Sequence, residues 1–232
     1  MIPQAARSLP CMLADQYILS SVLEEKEDSI VYEATQKDLQ REVLVESLRV
    51  DAATDEEKVG RFFETYRLQA RIRHSSLAAP LEVVEYEGTW HVARERIHGE
   101  PLDAMVNAGR TLSAEMVCGL LQQLCYMHLY FDMERIATVP FSPEHTYLMD
   151  FGGYRFDHMA VAGVRRPGET QRQLAAVAAV VEPLLDRNSM CPAPLPQLVE
   201  QIRNTRSWSP ISPAVLDEEL IRLQMEMIHH KK

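Results

Sequence analysis

The strongest constraint on the fold is a change of hydrophobic period near Asp51. Before it, residues 17–23, 29–34 and 41–48 are three short runs rich in β-branched and aliphatic side chains, separated by polar stretches of hairpin size. Side chains alternate along a strand, so Val43 and Val45 take one face and Leu44 and Glu46 the other. After it, residues 53–74 carry Val59, Phe62, Phe63, Tyr66 and Ala70 at helical spacing. Asp55, Glu56 and Glu57 open that segment and Arg71, Arg73 and His74 close it, which suits a helix dipole. Two more strands, 79–86 and 90–97, meet at the tight turn Glu87-Gly88-Thr89. The pattern predicts a small α+β unit of strands around one helix.

The second half reads as mainly helical. Residues 99–108 form one helical pattern, and Gly109 and Arg110 break it. Ser113 then caps a long helix with Met116, Val117, Leu120, Leu121, Leu124 and His128 along one face. On residue type alone His128 is a satisfied core imidazole rather than a ligand. Residues 146–149 and 154–157 read as two short strands, with the glycine-containing turn Asp150-Phe151-Gly152-Gly153 between them. Helical patterns return at 173–185, 194–203 and 212–227. Residues 1–16 show no period and are expected to be a loosely packed extension.

Composition narrows the function classes. The formal charge of −10 argues against a nucleic-acid or anionic-membrane partner. The four cysteines form no Cys-x-x-Cys pair, and Cys118 and Cys125 sit in an apolar helical pattern, so buried free thiols in a reducing compartment are expected. No signal peptide is read in the first residues, and residues 174–185 are too short to cross a bilayer. A cytoplasmic location follows as the expectation.

The order and spacing of several segments then point to a family. Y-I-L-S-S-V-L, I-V-Y-E-A-T and L-Q-R-E-V-L-V-E are followed by R-F-F-E-T-Y-R-L-Q-A-R-I-R-H and H-V-A-R-E-R-I-H-G-E-P-L. Together they resemble the amino-terminal lobe of a bacterial-type Ser/Thr protein kinase in a degenerate form. The resemblance implies an α+β, bilobal, protein kinase-like fold with a five-stranded amino-terminal lobe and helix C, and a reduced, mainly helical carboxy-terminal lobe. The implied organisation is an extension at 1–16, an amino-terminal lobe at 17–98, a hinge at Glu95, Arg96 and Ile97, and a carboxy-terminal lobe at 99–232.

The same resemblance assigns the motif positions. The glycine-rich loop that would admit ATP phosphates falls on residues 24–29, with Glu24, Lys26 and Ser29 at the glycine positions. Four carboxylates there face one ammonium, which disfavours phosphate. The nucleotide-anchoring lysine aligns with Glu46, and its helix C glutamate partner with Thr65. Read without the resemblance, Glu46 is an exposed strand carboxylate.

In the second half, Thr138, Val139 and Pro140 stand at the H-R-D of the catalytic loop, and His145 at the metal-binding asparagine. Pro140 has no side-chain acceptor with which to orient a hydroxyl. Asp150, Phe151 and Gly152 spell D-F-G, yet Asp150 follows His145 by only 5 residues where the family allows roughly thirteen. The triplet is therefore a decoy in a hairpin turn. The metal-aspartate position falls on His158, with Asp157 beside it, and residues 173–185 resemble the buried helix F, with Gln173 where an anchoring aspartate would be.

The expectation drawn from these substitutions is a catalytically inactive module, a pseudokinase and not an enzyme, working through another protein of unspecified identity in signalling or regulation. It assigns no catalytic residue, metal or cofactor, and no ATP-Mg binding. It foresees no nucleic-acid partner and no membrane insertion, and it is compatible with oligomer formation. Two alternatives stay open: an atypical Ser/Thr protein kinase using Lys26 and Asp157 in displaced roles, and a structural adaptor or oligomer subunit.

Overall fold

The computed structural model describes residues 8–150, 152–157, 160–186, 191–205 and 212–230. Phe151 and His158 lie outside the described residues, as do residues 1–7 of the expected extension. The chain divides into two compact units, one of residues 1–73 with 78–96 and the other of residues 74–77 with 97–232.

The first unit is built on a six-stranded sheet, in the order β1-β2-β3-β4-β6-β5. Its strands are β1 (Cys11–Leu13), β2 (Tyr17–Glu25), β3 (Ser29–Gln36), β4 (Arg41–Leu48), β5 (Pro80–Tyr86) and β6 (Thr89–Glu95). All neighbours pair antiparallel. Alternation along the strands places Leu13, Tyr17, Leu19, Ile30, Tyr32, Val43, Val45 and Ala93 in one buried cluster. Leu44 and Glu46 take the other face, and β4 is buried from Val43 to Leu48.

Two local features depart from the sequence reading. Cys11–Leu13 is a sixth strand against β2, because Leu13 is fully buried in the cluster and outweighs the absence of period around it. The helix splits into α1 (Val50–Ala53) and α2 (Glu56–Arg71), since the Asp55 carboxylate accepts from the amides of Glu57 and Lys58 and starts α2 anew.

The second unit contains β7 (Glu100–Pro101), α3 (Leu102–Asn107), α4 (Ala114–Glu134), β8 (Ile136–Thr138), β9 (Thr146–Leu148), β10 (Tyr154–Phe156), β11 (Ala160–Val164), α5 (Glu169–Val181), α6 (Pro194–Arg203) and α7 (Pro213–His230). Ser113 caps α4 by accepting from the Met116 amide. The buried stripe of α4 includes Val117, Leu120, Leu121, Leu124, Met127 and Phe131, and α7 packs beside it with Leu216, Leu220, Leu223 and Met227 buried. Cys118 and Cys125 are free and buried, and burial pushes both thiols up to about 12.

Short β pairs surround this helical core. β9 and β10 pair antiparallel, with Asp150 and Gly152 in their connection. Gly152 and Gly153 hold φ at +81° and +79°, a backbone region that glycine enters without steric cost. Gly99 meets β9 so closely that a Cβ there would lie 2.7 Å from the Leu148 carbonyl oxygen. No described helix is long and apolar enough to cross a membrane.

Candidate functional site

In the first unit the candidate residues converge on Glu46. Glu24 and Glu25 belong to β2, so the expected loop is a tight turn, closed by a bond from the Lys26 amide to the Ser29 carbonyl of 2.9 Å. The Glu46 side chain is 7% exposed. Its Oε1 accepts from Ser29 Oγ at 2.6 Å, while Oε2 accepts from Lys26 Nζ at 3.2 Å and from the Tyr66 hydroxyl at 2.6 Å. Burial works to raise the Glu46 pKa, but Lys26, the Ser29 and Tyr66 hydroxyls and the Arg94 cation together bring it down to about 2. Glu46 is thus an ionised, buried hub.

Lys26, Ser29 and Glu46 are brought together, and Thr65 is not their partner. Tyr66, one residue on, is the side chain that α2 turns toward the sheet, and it is buried where Thr65 is half-buried. An aromatic at an apolar heptad-like position signals core packing, and its terminal hydroxyl is the part that periodicity does not read.

The charge balance at the turn also differs from the sequence tally. Arg49 pairs with Glu25 at 2.9 Å, and Lys58 from α2 pairs with Asp28 at 2.6 Å. Glu24 lies 3.8 Å from Lys26. Two cations from outside the turn therefore offset carboxylates that the local sequence leaves unopposed.

In the second unit the stretch after β8 is held by α5. Gln173 Oε1 accepts from the Phe141 amide at 2.6 Å, and its Nε2 donates to the Val139 carbonyl at 2.6 Å and to Thr138 Oγ1 at 3.1 Å. Glu169 Oε1 accepts from both the amide and the hydroxyl of Thr138 at 2.7 Å. Burial works to raise the Glu169 pKa. The Arg166 and Thr138 amides, the Thr138 hydroxyl and the nearby Arg165 cation outweigh it and hold the group below its ordinary value. Arg165 in turn bonds Asp132, Thr170 and the Ile136 carbonyl. Pro140 therefore sits in a loop whose backbone is clamped on both sides.

The residues placed near the metal position form a second group. The Asp157 amide donates to the His145 carbonyl at 2.9 Å, and His145 Nδ1 lies 4.0 Å from Asp157 Oδ2. The Asp157 side chain is 5% exposed. Asp150 and Gly152 lie in the β9–β10 connection, while His145 precedes β9 and Asp157 follows β10. Among the described residues, no group of three or more His, Cys, Asp or Glu could hold a metal ion. Glu95 ends β6, Arg96 bonds Glu33 at 2.7 Å, and Ile97 is buried in the other unit.

His128 is buried as its helical position predicts, but it is not satisfied. Among the described residues, neither ring nitrogen has a hydrogen-bond partner. Burial, reinforced by the Arg165 cation, lowers its pKa to about 4 against the opposing pull of Asp132 and Glu169.

Comparison with known proteins places this geometry. No family model matches the sequence. Over 180 residues the chain is 27% identical to a probable serine/threonine-protein kinase of Streptomyces coelicolor, a match covering 72% of this chain and 26% of that protein. Over 118 residues it is 30% identical to the probable serine/threonine-protein kinase PknB of Corynebacterium glutamicum, covering 49% of this chain and 18% of that one. The chain thus spans about a quarter or less of these curated relatives. The crystal structure of the Mycobacterium tuberculosis PknI kinase domain superposes with a TM-score of 0.66 at 14% identity, covering 94% of this chain and 99% of that one.

The chain has a protein kinase-like fold, as its segment order implies, and its curated relatives are named as bacterial Ser/Thr kinases. The expectation of a non-enzyme is corrected by the same findings, since both relatives are named kinases and the matching solved structure is a kinase domain. They point to a kinase. Glu46, which stands at the position of the strand lysine, has Lys26 of the β2–β3 turn as its cation.

Proposed function

We propose that this chain is an atypical Ser/Thr protein kinase-type module of phosphorylation-based signalling, with Lys26 as the phosphate-binding cation and Asp157 as the metal-binding carboxylate. The observation that carries the reading is the 3.2 Å ion pair between Lys26 and Glu46. A lysine–carboxylate pair of this kind positions the nucleotide in protein kinases. Here the carboxylate stands on β4 and the ammonium on the β2–β3 turn.

The residues present fit the groups such a reaction needs. An ammonium has three donors, and Glu46 engages Lys26 without exhausting them. The pairing of Glu25 with Arg49 and of Asp28 with Lys58 lowers the repulsion a polyphosphate would meet at the turn. Mg²⁺ binds through one or two carboxylates together with substrate phosphates and water, and Asp157 would supply one such carboxylate. Bound there, the ion would neutralise phosphate oxygens as charge develops. Gln173 and Glu169 hold the loop from Thr138 to Phe141 in one shape. Pro140 supplies no acceptor for the proton of an attacking hydroxyl, so transfer is expected to be slower by about 10²–10⁴-fold than with a general base. Phosphoryl transfer rests mainly on positioning and electrostatics, which leaves a slow reaction within reach.

The test is thermal unfolding with ATP and Mg²⁺, ATP and Mn²⁺, or ATP and chelator, followed by phosphate incorporation into serine and threonine peptides. Nucleotide at about a hundred times its dissociation constant adds roughly 2.7 kcal/mol to a native state that binds it. The reading requires a shift that Lys26→Met removes, and a metal dependence that Asp157→Asn removes. Absence of any nucleotide shift overturns it.

A further inference from the structure

We propose that Tyr66 positions Lys26, acting through the one oxygen of Glu46 that both residues share. Glu46 Oε2 accepts a short bond from the Tyr66 hydroxyl at 2.6 Å and a long one from Lys26 Nζ at 3.2 Å. The other oxygen is engaged by Ser29 at 2.6 Å. A carboxylate oxygen already bound by a short O–H···O⁻ contact has less charge to offer a second donor, so the phenol keeps the ammonium at the outer edge of bonding range. Removing the hydroxyl frees that charge for Lys26, which then draws in toward Glu46 and away from other anions.

Tyr66 is carried by α2, where its ring meets Phe62 edge-on at 5.1 Å. A shift of α2 that withdrew the hydroxyl would therefore be read at the β2–β3 turn through a single atom. Helix seating and the state of Lys26 become one variable. The functional meaning of this tie rests on the reading of Lys26 as a phosphate ligand; the tie itself stands on the geometry around Glu46.

The experiment follows acylation of Lys26 by a small N-hydroxysuccinimide ester in the full chain without nucleotide, quantified at the Lys26 peptide by mass spectrometry. Tyr66→Phe keeps the ring and removes the donor, and Lys26 is expected to react about fivefold more slowly. An unchanged or faster rate overturns the proposal. Phe62→Leu removes the ring contact on the same helix and leaves the hydroxyl in place. It is expected to lower the unfolding temperature while leaving the Lys26 rate unchanged. If it slows Lys26 as much as Tyr66→Phe does, general loosening of α2 explains the effect and the positioning role falls. A parallel arm adds ATP and Mg²⁺ to the unaltered chain. Protection of Lys26 supports the phosphate reading, and its absence removes that reading while the nucleotide-free rates still decide the tie.

Discussion

The two units treat their candidate sites in opposite ways. Around Glu46 the first unit gathers a charge pair from the β2–β3 turn and β4. Around Thr138–Phe141 the second unit keeps the shape of a loop through side chains bonded to its backbone, while Pro140 brings no polar group of its own. The first arrangement is electrostatic and depends on a carboxylate staying ionised in a buried place. The second is geometric and depends on donors and acceptors being matched. The first thus joins side chains from separate elements through charge, and the second fixes backbone through matched donors and acceptors.

The sharpest way to break the first arrangement is Glu46→Ala. It removes the acceptor of the Ser29 and Tyr66 hydroxyls and the buried carboxylate bonded to Lys26, so a loss of about 3–5 kcal/mol is expected in urea unfolding. A loss below about 1 kcal/mol would mean that the hub contributes little.

Gln173→Ala attacks the second arrangement. It leaves the Phe141 amide and the Val139 carbonyl without their side-chain partner, at an expected cost of about 2–3 kcal/mol. Gln173→Glu separates the two functions of the amide, since the carboxylate still accepts from Phe141 and no longer donates to Val139. At neutral pH it is expected to cost more than the alanine change, because a buried carboxylate then faces the Val139 carbonyl beside Glu169, and the reverse order would refute the backbone-clamp account.

Acid titration compares the units through two depressed groups. His128 has a folded value of about 4 against an ordinary value near 6.5. Between these the unfolded chain binds a proton that the folded chain refuses. Stability therefore falls as pH drops through that window, by up to about 3 kcal/mol in all, and levels off below it. His128→Leu should flatten the window, as measured by denaturant midpoints at pH 7, 5.5 and 4. Glu46, lowered from about 4.5 to about 2, loses its contribution only below about pH 4.5, so the two sites separate on the pH axis.

The smallest effect is expected at the rim of the turn. Arg49→Ala removes a half-exposed pairing with Glu25 and should change stability by less than about 1 kcal/mol. If Lys26 binds phosphate as proposed, it should nevertheless weaken nucleotide binding measurably at low salt, and the difference should fade at high salt.

Much of the fold was legible because hydrophobic period is a local property. The strands from β2 to β6, the amphipathic α2 and the capped α4 each announce themselves within their own segment. The hairpin bearing Asp150 was readable for the same reason, from turn residues flanked by short alternating runs. β1 was not, because three residues carry no period and only the contact of Leu13 with strands far along the chain makes them a strand. The candidate site was legible as positions and illegible as interactions. Glu24, Lys26, Ser29 and Glu46 stood out through the resemblance, but Tyr66 on Glu46, and the Arg49 and Lys58 cations on Glu25 and Asp28, approach from other elements.

The sequence by itself therefore determined the elements, their order and the kinase-like succession they make, since each follows from side-chain alternation, helical spacing and capping within a few residues. Tertiary structure alone decided that Glu46 is buried and ionised, that Lys26 is its cation, and that Gln173 grips the backbone of the loop. The physical reason is reach. Long polar side chains choose partners across a sheet or from a neighbouring helix, at sequence separations of 17 to 34 residues, where no local pattern records the choice.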